Sequence, residues 1–223
     1  LLAATVFCAL PLCSTEAAAE NILKYSGTTN IHGDAKTWAA KDEYDGIDIR
    51  VTGVDPGYYT ETTEALVLNN RSLNVKGKGK FVSIINTAQN ERIDNNGGIY
   101  AKGGSTVNFT DVDSIYIAAI AGKEGGNDST VISAKDPFMG DRTGHTNTIN
   151  ISGTVVQLIG SIDVFHSLGS LLNQNARHTV NAALSGSDSF WYGSTIGEDG
   201  KRTTVNLSLS DGATWIFNAG KSF

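Results

Sequence analysis

Aspartate pairs are the residues of this chain whose type and spacing come nearest to a catalytic pattern. Asp111 and Asp113 are two positions apart, which places both carboxylates on one face if the segment is a β-strand. Enzymes that cleave polysaccharides use such clustered carboxylates as acid, base or Ca²⁺ ligands. Asp45 and Asp48 are three positions apart, so we expect them in a turn or on opposite faces of a strand. The surroundings of Asp128 are a third candidate.

The sequence lacks the groups that would complete such a site. No lysine or arginine adjoins either pair, apart from Arg50 near Asp48, so solvated turn residues are the favoured interpretation. No Gly-x-Ser-x-Gly or Gly-Asp-Ser-Gly motif surrounds a serine. No metal-binding spacing links the histidines, for which we expect surface or capping positions: His32, His145, His166 and His178. We therefore predict no catalytic residue, no cofactor and no metal site.

Charge limits the partners that the chain can have. A net charge of -6 and a pI near 5.1 argue against a nucleic-acid binder that works by neutralising phosphates. Lys76, Lys78 and Lys80 alternate with glycines, which would align three ammonium groups on one strand face and attract an anionic glycan or surface. The favoured alternative is a solvated strand edge whose lysines discourage sheet-to-sheet association.

The N-terminal segment, residues 1–19, has the features of a secretory signal peptide. An apolar stretch from Leu1 to Leu12 precedes the small residues Ala17-Ala18-Ala19. We expect cleavage before Glu20, and hence an exported protein at the cell surface, at the outer membrane or in the medium. The apolar stretch is too short to span a bilayer comfortably. Both cysteines lie within this segment, so the mature protein would have no thiol: Cys8 and Cys13.

A short repeat organises the rest of the chain. With 25 Gly and only 3 Pro, the composition favours strands and turns, and we predict an all-β fold. An apolar residue, an asparagine and another apolar residue recur five times, at irregular spacings of 34, 42, 31 and 25 residues that lie in the range of solenoids. Stacked on successive coils, these asparagines would form an amide ladder: Asn74, Asn108, Asn150, Asn181 and Asn206.

Alternation around the repeat predicts which side chains point inward. From Val205 onward odd positions are apolar, with a turn expected at Asp211-Gly212 between strands ending near Leu209 and beginning near Ala213. Trp215 occupies one of these odd positions, so we predict that it is buried. An antiparallel sandwich also alternates and is the alternative fold. In earlier repeats the same rule assigns six residues to the inner face: Leu73, Val75, Val107, Phe109, Ile149 and Ile151.

The segment Val205–Trp215, continuing to Gly220-Lys221-Ser222, resembles the passenger domains of pertactin-like autotransporters of Gram-negative bacteria. In that family a strand, a small-residue turn, an Ala-x-Trp strand and a Gly-x-Ser turn repeat. The resemblance implies a right-handed parallel β-helix. It also implies passage across the outer membrane in an unfolded state, which suits a chain without mature cysteines. The family's C-terminal translocator barrel is missing from this chain, so the resemblance implies an N-terminal fragment of a longer protein.

These observations combine into one prediction of organisation and function. We expect a signal peptide over 1–19, an irregular N-terminal cap over 20–63 and a parallel β-helix over 64–223, with a long loop from Gly122 to Thr146 that would concentrate binding function. The expected function is contact with a host-cell or glycan surface ligand, as an adhesin or another structural surface protein. The alternative is a secreted β-helix polysaccharide lyase or hydrolase.

Overall fold

The computed structural model describes the chain in ten segments: residues 21–27, 42–52, 54–55, 64–87, 89–90, 97–120, 129–135, 144–164, 176–197 and 202–218. Strands account for 74% of these residues, and no helix occurs among them. The same segments therefore include no helix that could cross a membrane. Every pairing between the strands is parallel. The predicted all-β fold is confirmed, and the antiparallel sandwich is wrong.

The strands, numbered in chain order, form three columns that we call face 1, face 2 and face 3. Faces 1 and 2 share two long strands, β9 (Thr106–Ala119) and β11 (Thr146–Ile159), whose first halves pair in face 1 and second halves in face 2. Face 1 also contains β5 (Ser72–Lys76), β13 (Arg177–Ser185) and β16 (Thr203–Ser210).

Face 2 is completed by β1 (Ile22–Gly27), β2 (Gly46–Val51), β6 (Phe81–Asn86), β14 (Phe190–Gly193) and β17 (Thr214–Phe217). Face 3 consists of β4 (Glu64–Asn69), β8 (Gly97–Lys102), β10 (Thr130–Ala134), β12 (Ser161–Asp163) and β15 (Thr195–Ile196). A separate short pair joins β3 (Val54–Asp55) to β7 (Gln89–Asn90).

The chain visits the three faces in a repeating order. From β5 it passes to β6 and then to β8, after which β9 begins beside β5 and the circuit starts again. Each circuit is one coil, and the strands of each face pair with their equivalents in neighbouring coils. This arrangement is consistent with the predicted parallel β-helix.

One apolar core fills the space between the faces. The six residues that alternation assigned to the inner face are at most 2% exposed, so that prediction is confirmed. On face 2 the in-register positions of successive coils form an inward column in which large apolar side chains stack: Ile49, Ile84, Ile117, Leu158 and Trp191. Because each side chain packs on those above and below it, burial comes from stacking between coils.

Left-handed residues turn the chain from face 1 to face 2. In β9 the turn lies at Asp111, whose φ is 58°, and the register with β11 shifts there. Asp is among the few residues other than Gly that adopt this conformation at modest cost. In the last described coil the turn lies at Asp211 and Gly212, with φ values of 53° and 89°. The predicted strand, turn and strand around Asp211-Gly212 are therefore confirmed.

Two predicted boundaries do not coincide with breaks in the fold. Within the predicted cap, β1 pairs with β2 and β2 pairs with β6, so regular stacking begins before residue 64. Within the predicted loop from Gly122 to Thr146, Thr130–Ala134 forms a strand of face 3 with four buried residues. The loop prediction is wrong at that strand. Its short β-branched run lies in a segment rich in Gly, Asp and Lys, and its pairing with β8 and β12 could not be inferred from the local sequence.

Trp215 is 40% exposed, so its predicted burial is wrong. Its direction is as predicted, because its ring stacks on that of Trp191 with centroids 5.0 Å apart and planes 4° apart. Trp191 is covered by Trp215 and is only 1% exposed. Trp215 belongs to the last described coil, so no described strand lies over its other face.

Candidate functional site

The outer side of face 1 carries an unbroken column of amide side chains, which we call the asparagine ladder. Four hydrogen bonds of 2.7–2.8 Å join its five members, and in each bond Nδ2 of one asparagine donates to Oδ1 of the asparagine one coil earlier. At the N-terminal end, Asn74 Nδ2 donates to the backbone oxygen of Asp42 at 2.9 Å. The predicted ladder is confirmed: Asn74, Asn108, Asn150, Asn181 and Asn206.

Small polar residues flank the ladder on both sides. On one side a hydroxyl column runs along the coils in register: Ser72, Thr106, Thr148, Thr179 and Thr204. On the other side lie Ser152, Ala183 and Ser208, which with the last three asparagines of the ladder line an open depression of about 550 Å³. Neighbouring strands are ~4.8 Å apart and alternate residues ~6.6 Å apart, so the surface is a regular grid of hydroxyl and amide groups.

The ladder leaves hydrogen-bonding capacity free on every coil. An asparagine amide has two N–H donors and a carbonyl oxygen with two lone pairs. Each internal rung uses one donor and one lone pair within the ladder. The remaining donor and lone pair, together with the adjacent hydroxyl groups, suit a neutral ligand rich in hydroxyl groups. The mutual bonds also hold each amide in one orientation, so little ordering is required when such a ligand binds.

The structure does not place the best carboxylate pair on a regular strand face. Asp111 and Asp113 are both exposed, with buried Val112 between them. The left-handed conformation of Asp111 puts the pair at the corner between faces 1 and 2. There the Asp111 backbone N–H donates to Ser152 Oγ at 3.2 Å, and that of Asp113 donates to the Lys80 oxygen at 2.9 Å. Both carboxylates therefore lie on the exposed side of β9, as the spacing predicts, but at a corner of the coil.

The second aspartate pair forms ion pairs on neighbouring parts of the surface. Asp45 lies in a bend before β2 and pairs with Lys80, whose Nζ is 3.1 Å from Asp45 Oδ1. Asp48 lies within β2 and contacts Arg50, with Nε 3.4 Å from Oδ1. Asp45 thus has a cationic partner that is distant in sequence, which adjacency alone could not show. Asp128 lies outside the described residues.

The three alternating lysines do not share a strand face. Lys76 ends β5, and Lys78 lies in a turn between Gly77 and Gly79, whose φ values are 98° and 78°. Lys80 is engaged with Asp45. Both the aligned cationic face and the strand-edge interpretation are therefore wrong, because two left-handed glycines replace the expected strand with a corner.

One histidine lies in the core rather than on the surface. His178 is 0% exposed, and its Nδ1 lies 3.2 Å from Nδ2 of Asn147, which is also fully buried. Asn147 Oδ1 in turn accepts the backbone N–H groups of Gly104 and Ser105, each at 2.9 Å. The expected surface position is wrong for His178, because the buried amide of Asn147 lies within hydrogen-bond distance of its ring. His32 and His166 lie outside the described residues. Within the described residues, no group of three or more His, Cys, Asp or Glu could hold a metal ion.

Sequence reasoning missed a charged cluster on face 3. Lys135 forms an ion pair with the buried carboxylate of Asp163, and the ammonium groups of Lys102 and Lys135 lie 5.3 Å and 6.0 Å from the ring centroid of Tyr100. Burial raises the pKa of the nearby Glu64 carboxyl, and its Oε2 accepts no hydrogen bond from a described residue. Tyr100 and Asp163 are almost fully buried, so the cluster is not an open cleft.

A weak signal for this cluster was present in the sequence. The pattern Ile-x-Ala-Lys occurs at Ile99–Lys102 and again at Ile132–Lys135. In the structure Ile132–Ala134 of β10 lies in register with Ile99–Ala101 of β8, and the lysine that follows each run lies near the ring of Tyr100. The carboxylates Glu64 and Asp163 join them only because the coils stack.

Comparisons of the chain with protein-family models, with curated proteins and with solved structures gave no match in any of the three.

Proposed function

We propose that the chain acts by contact, as an adhesin or another structural surface protein of the pertactin-like autotransporter type, displayed at the cell surface or secreted. The observation that supports this proposal is the outer side of face 1, where amide and hydroxyl groups repeat over five coils. A rigid surface that presents the same groups many times suits function by contact, and a ladder built on paired strands provides one.

A glycan is the partner class that best suits this surface. The ladder and its flanking hydroxyl column contain no ionisable group, so this surface offers hydrogen bonds without a strong electrostatic field. A polysaccharide repeats its hydroxyl groups along its length, so several coils can contact one ligand, and individually weak contacts then add up. The net charge of -6 argues against binding to nucleic acids, whose phosphates are also negative.

Binding of polysaccharides with and without a substitution on this surface tests the proposal. The purified chain is incubated with insoluble neutral polysaccharides and neutral host-type glycans, with the polyanions pectin and alginate in a separate arm, and the retained fraction is measured. Thr179→Glu adds a bulky charge to the hydroxyl column, and Thr214→Glu adds the same group at an exposed position on the outer side of face 2. We expect the first change to abolish retention and the second to leave it unchanged.

The same experiment includes an arm for the enzymatic alternative. Release of reducing or unsaturated sugar ends is measured in parallel, with and without Ca²⁺, for the unsubstituted chain and for Asp111→Asn with Asp113→Asn. We expect no release from any sample. Sugar release that disappears in the double variant, or retention that is indifferent to Thr179→Glu, would contradict function by contact through face 1.

A further inference from the structure

Like groups repeat along the stack on face 1, whereas unlike groups alternate across it. Successive asparagines of the ladder lie in register, each ~4.8 Å from the next because paired strands have that spacing. Their mutual hydrogen bonds direct every amide the same way along the stack. Along one strand the outward groups instead change every ~6.6 Å, from hydroxyl to amide to the residue beyond it. A ligand built of identical units therefore meets identical groups only if it lies along the stack.

The spacing of the rungs selects the shape of such a ligand. Each unit must advance by close to one strand spacing, ~4.8 Å, and the chain must stay straight to contact successive coils. Pyranoses such as glucose meet both conditions when they are joined by β-1,4 linkages, because both linking bonds are equatorial and the chain is an extended ribbon. The axial bond of an α-1,4 linkage instead curves the chain into a helix, whose sugars leave a straight row of groups after a few units.

We propose that the outer side of face 1 binds a neutral β-1,4-linked polysaccharide that lies along the stack with about one sugar per coil. This binding mode rests on the proposed function by contact, and it adds the linkage, the charge and the direction of the ligand. Alternate sugars of such a ribbon are turned over, but each presents hydroxyl groups at both edges. The free donor and lone pair of a rung, with the hydroxyl group beside it, can bond to these groups on every coil.

The charges that border the two columns do not favour an anionic polymer. Arg177 is exposed on β13, two residues before Thr179, whereas Asp111 and Asp211 are exposed at the corner on the opposite side of face 1. A hydrogen bond of 2.7 Å from Ser185 holds the pKa of the Asp211 carboxyl below its usual range, so this group is charged at neutral pH. An anionic chain along the stack would border charges of both signs, which leaves a neutral chain as the better ligand.

Short chains of glucose test the linkage, because two series have the same composition and differ only in how the sugars are joined. Binding of the β-1,4 series, cellobiose to cellopentaose, and of the α-1,4 series, maltose to maltopentaose, to the full chain is measured by calorimetry. Each added β-linked sugar supplies at least one net hydrogen bond, so we expect the association constant to rise about two- to tenfold per sugar. Cellopentaose should bind about tenfold more tightly than maltopentaose, or better.

Two matched substitutions test the direction of the chain. Thr148→Glu places a bulky charge on the middle coil of the described hydroxyl column, and Ser72→Glu places the same charge on the first. The first change interrupts the row, so the affinity for cellopentaose should fall to that for cellobiose. The second leaves four consecutive described coils and should lower the affinity only by the effect of one sugar, about two- to tenfold. A ligand that lies across the stack would lose one coil in either variant, with equal small effects.

Failure of this binding mode can be told apart from failure of the function on which it rests. If neutral glycans are not retained, or are retained equally by Thr179→Glu, then contact through face 1 is itself wrong. If retention depends on Thr179, the binding mode alone is overturned by any of three results: cellopentaose binds no better than maltopentaose, affinity does not rise with length, or only the polyanions are retained. Circular dichroism checks the fold of each variant, and the linkage comparison on the unsubstituted chain decides the matter if Thr148→Glu does not fold.

Discussion

Replacing Trp191 with alanine removes the largest side chain that is fully buried in the core. The indole stacks on Trp215, and its Nε1 donates to the Gly160 oxygen at 2.9 Å. Truncation of a buried tryptophan to alanine costs about 3–5 kcal/mol. Because stacking and a buried hydrogen bond are lost together, we expect the upper part of that range, about 4–5 kcal/mol. For a chain of this size the melting temperature should fall by roughly 8–20 °C.

Circular dichroism during thermal and urea unfolding measures this loss without relying on tryptophan fluorescence. Trp191→Phe keeps a ring in the column but removes the donor to Gly160, so it should cost about 1–3 kcal/mol. Tyr192→Ala is the matched control, because this neighbouring ring on the outer side of β14 is 41% exposed and its loss should cost less than about 1 kcal/mol. If Trp191→Ala and Tyr192→Ala had equal small effects, the assignment of the inner face in β14 would be refuted.

Three further predictions follow from the ladder, the buried carboxyl and the corner. Asn150→Ala removes two hydrogen bonds of the ladder and Asn206→Ala removes one, so urea unfolding should show a loss of about 1–3 kcal/mol for the first and a smaller loss for the second. Equal losses would contradict a contribution from each hydrogen bond. Burial raises the pKa of Glu64 from 4.5, so the unsubstituted protein loses stability as pH rises through the folded-state pKa, and Glu64→Gln should melt higher at neutral pH with an advantage that shrinks in acid. An advantage independent of pH would contradict this account. Asp111→Asn with Asp113→Asn should leave the melting temperature unchanged, because both side chains are exposed, and a large fall would reveal an ion pair at the corner.

Local pattern alone determined which way most side chains point. Alternation over Leu73 and Val75, or over Val107 and Phe109, sets the inner face because successive residues of a strand face opposite sides. The recurring asparagine also determined the ladder, since identical residues at equivalent positions of stacked strands must lie one strand spacing apart. For these features no knowledge of distant contacts was needed.

Tertiary structure decided how deeply those side chains are buried. Trp191 and Trp215 occupy the same inward column, yet only Trp191 has a described strand over it, so one is buried and the other is 40% exposed. Burial in a stack depends on the coil above, which the alternation within a strand cannot report.

Tertiary structure alone also decided the polar contacts across coils. Glu64 and Asp163 are far apart in sequence and meet near Lys135 because β4, β8, β10 and β12 pair in order. His178 is buried because Asn147, one coil earlier, lies beside it and supplies a hydrogen-bonding partner. The physical reason is the same in both cases. Strand periodicity is a property of neighbouring residues, whereas the partner of a buried polar group is set by register between coils whose lengths vary.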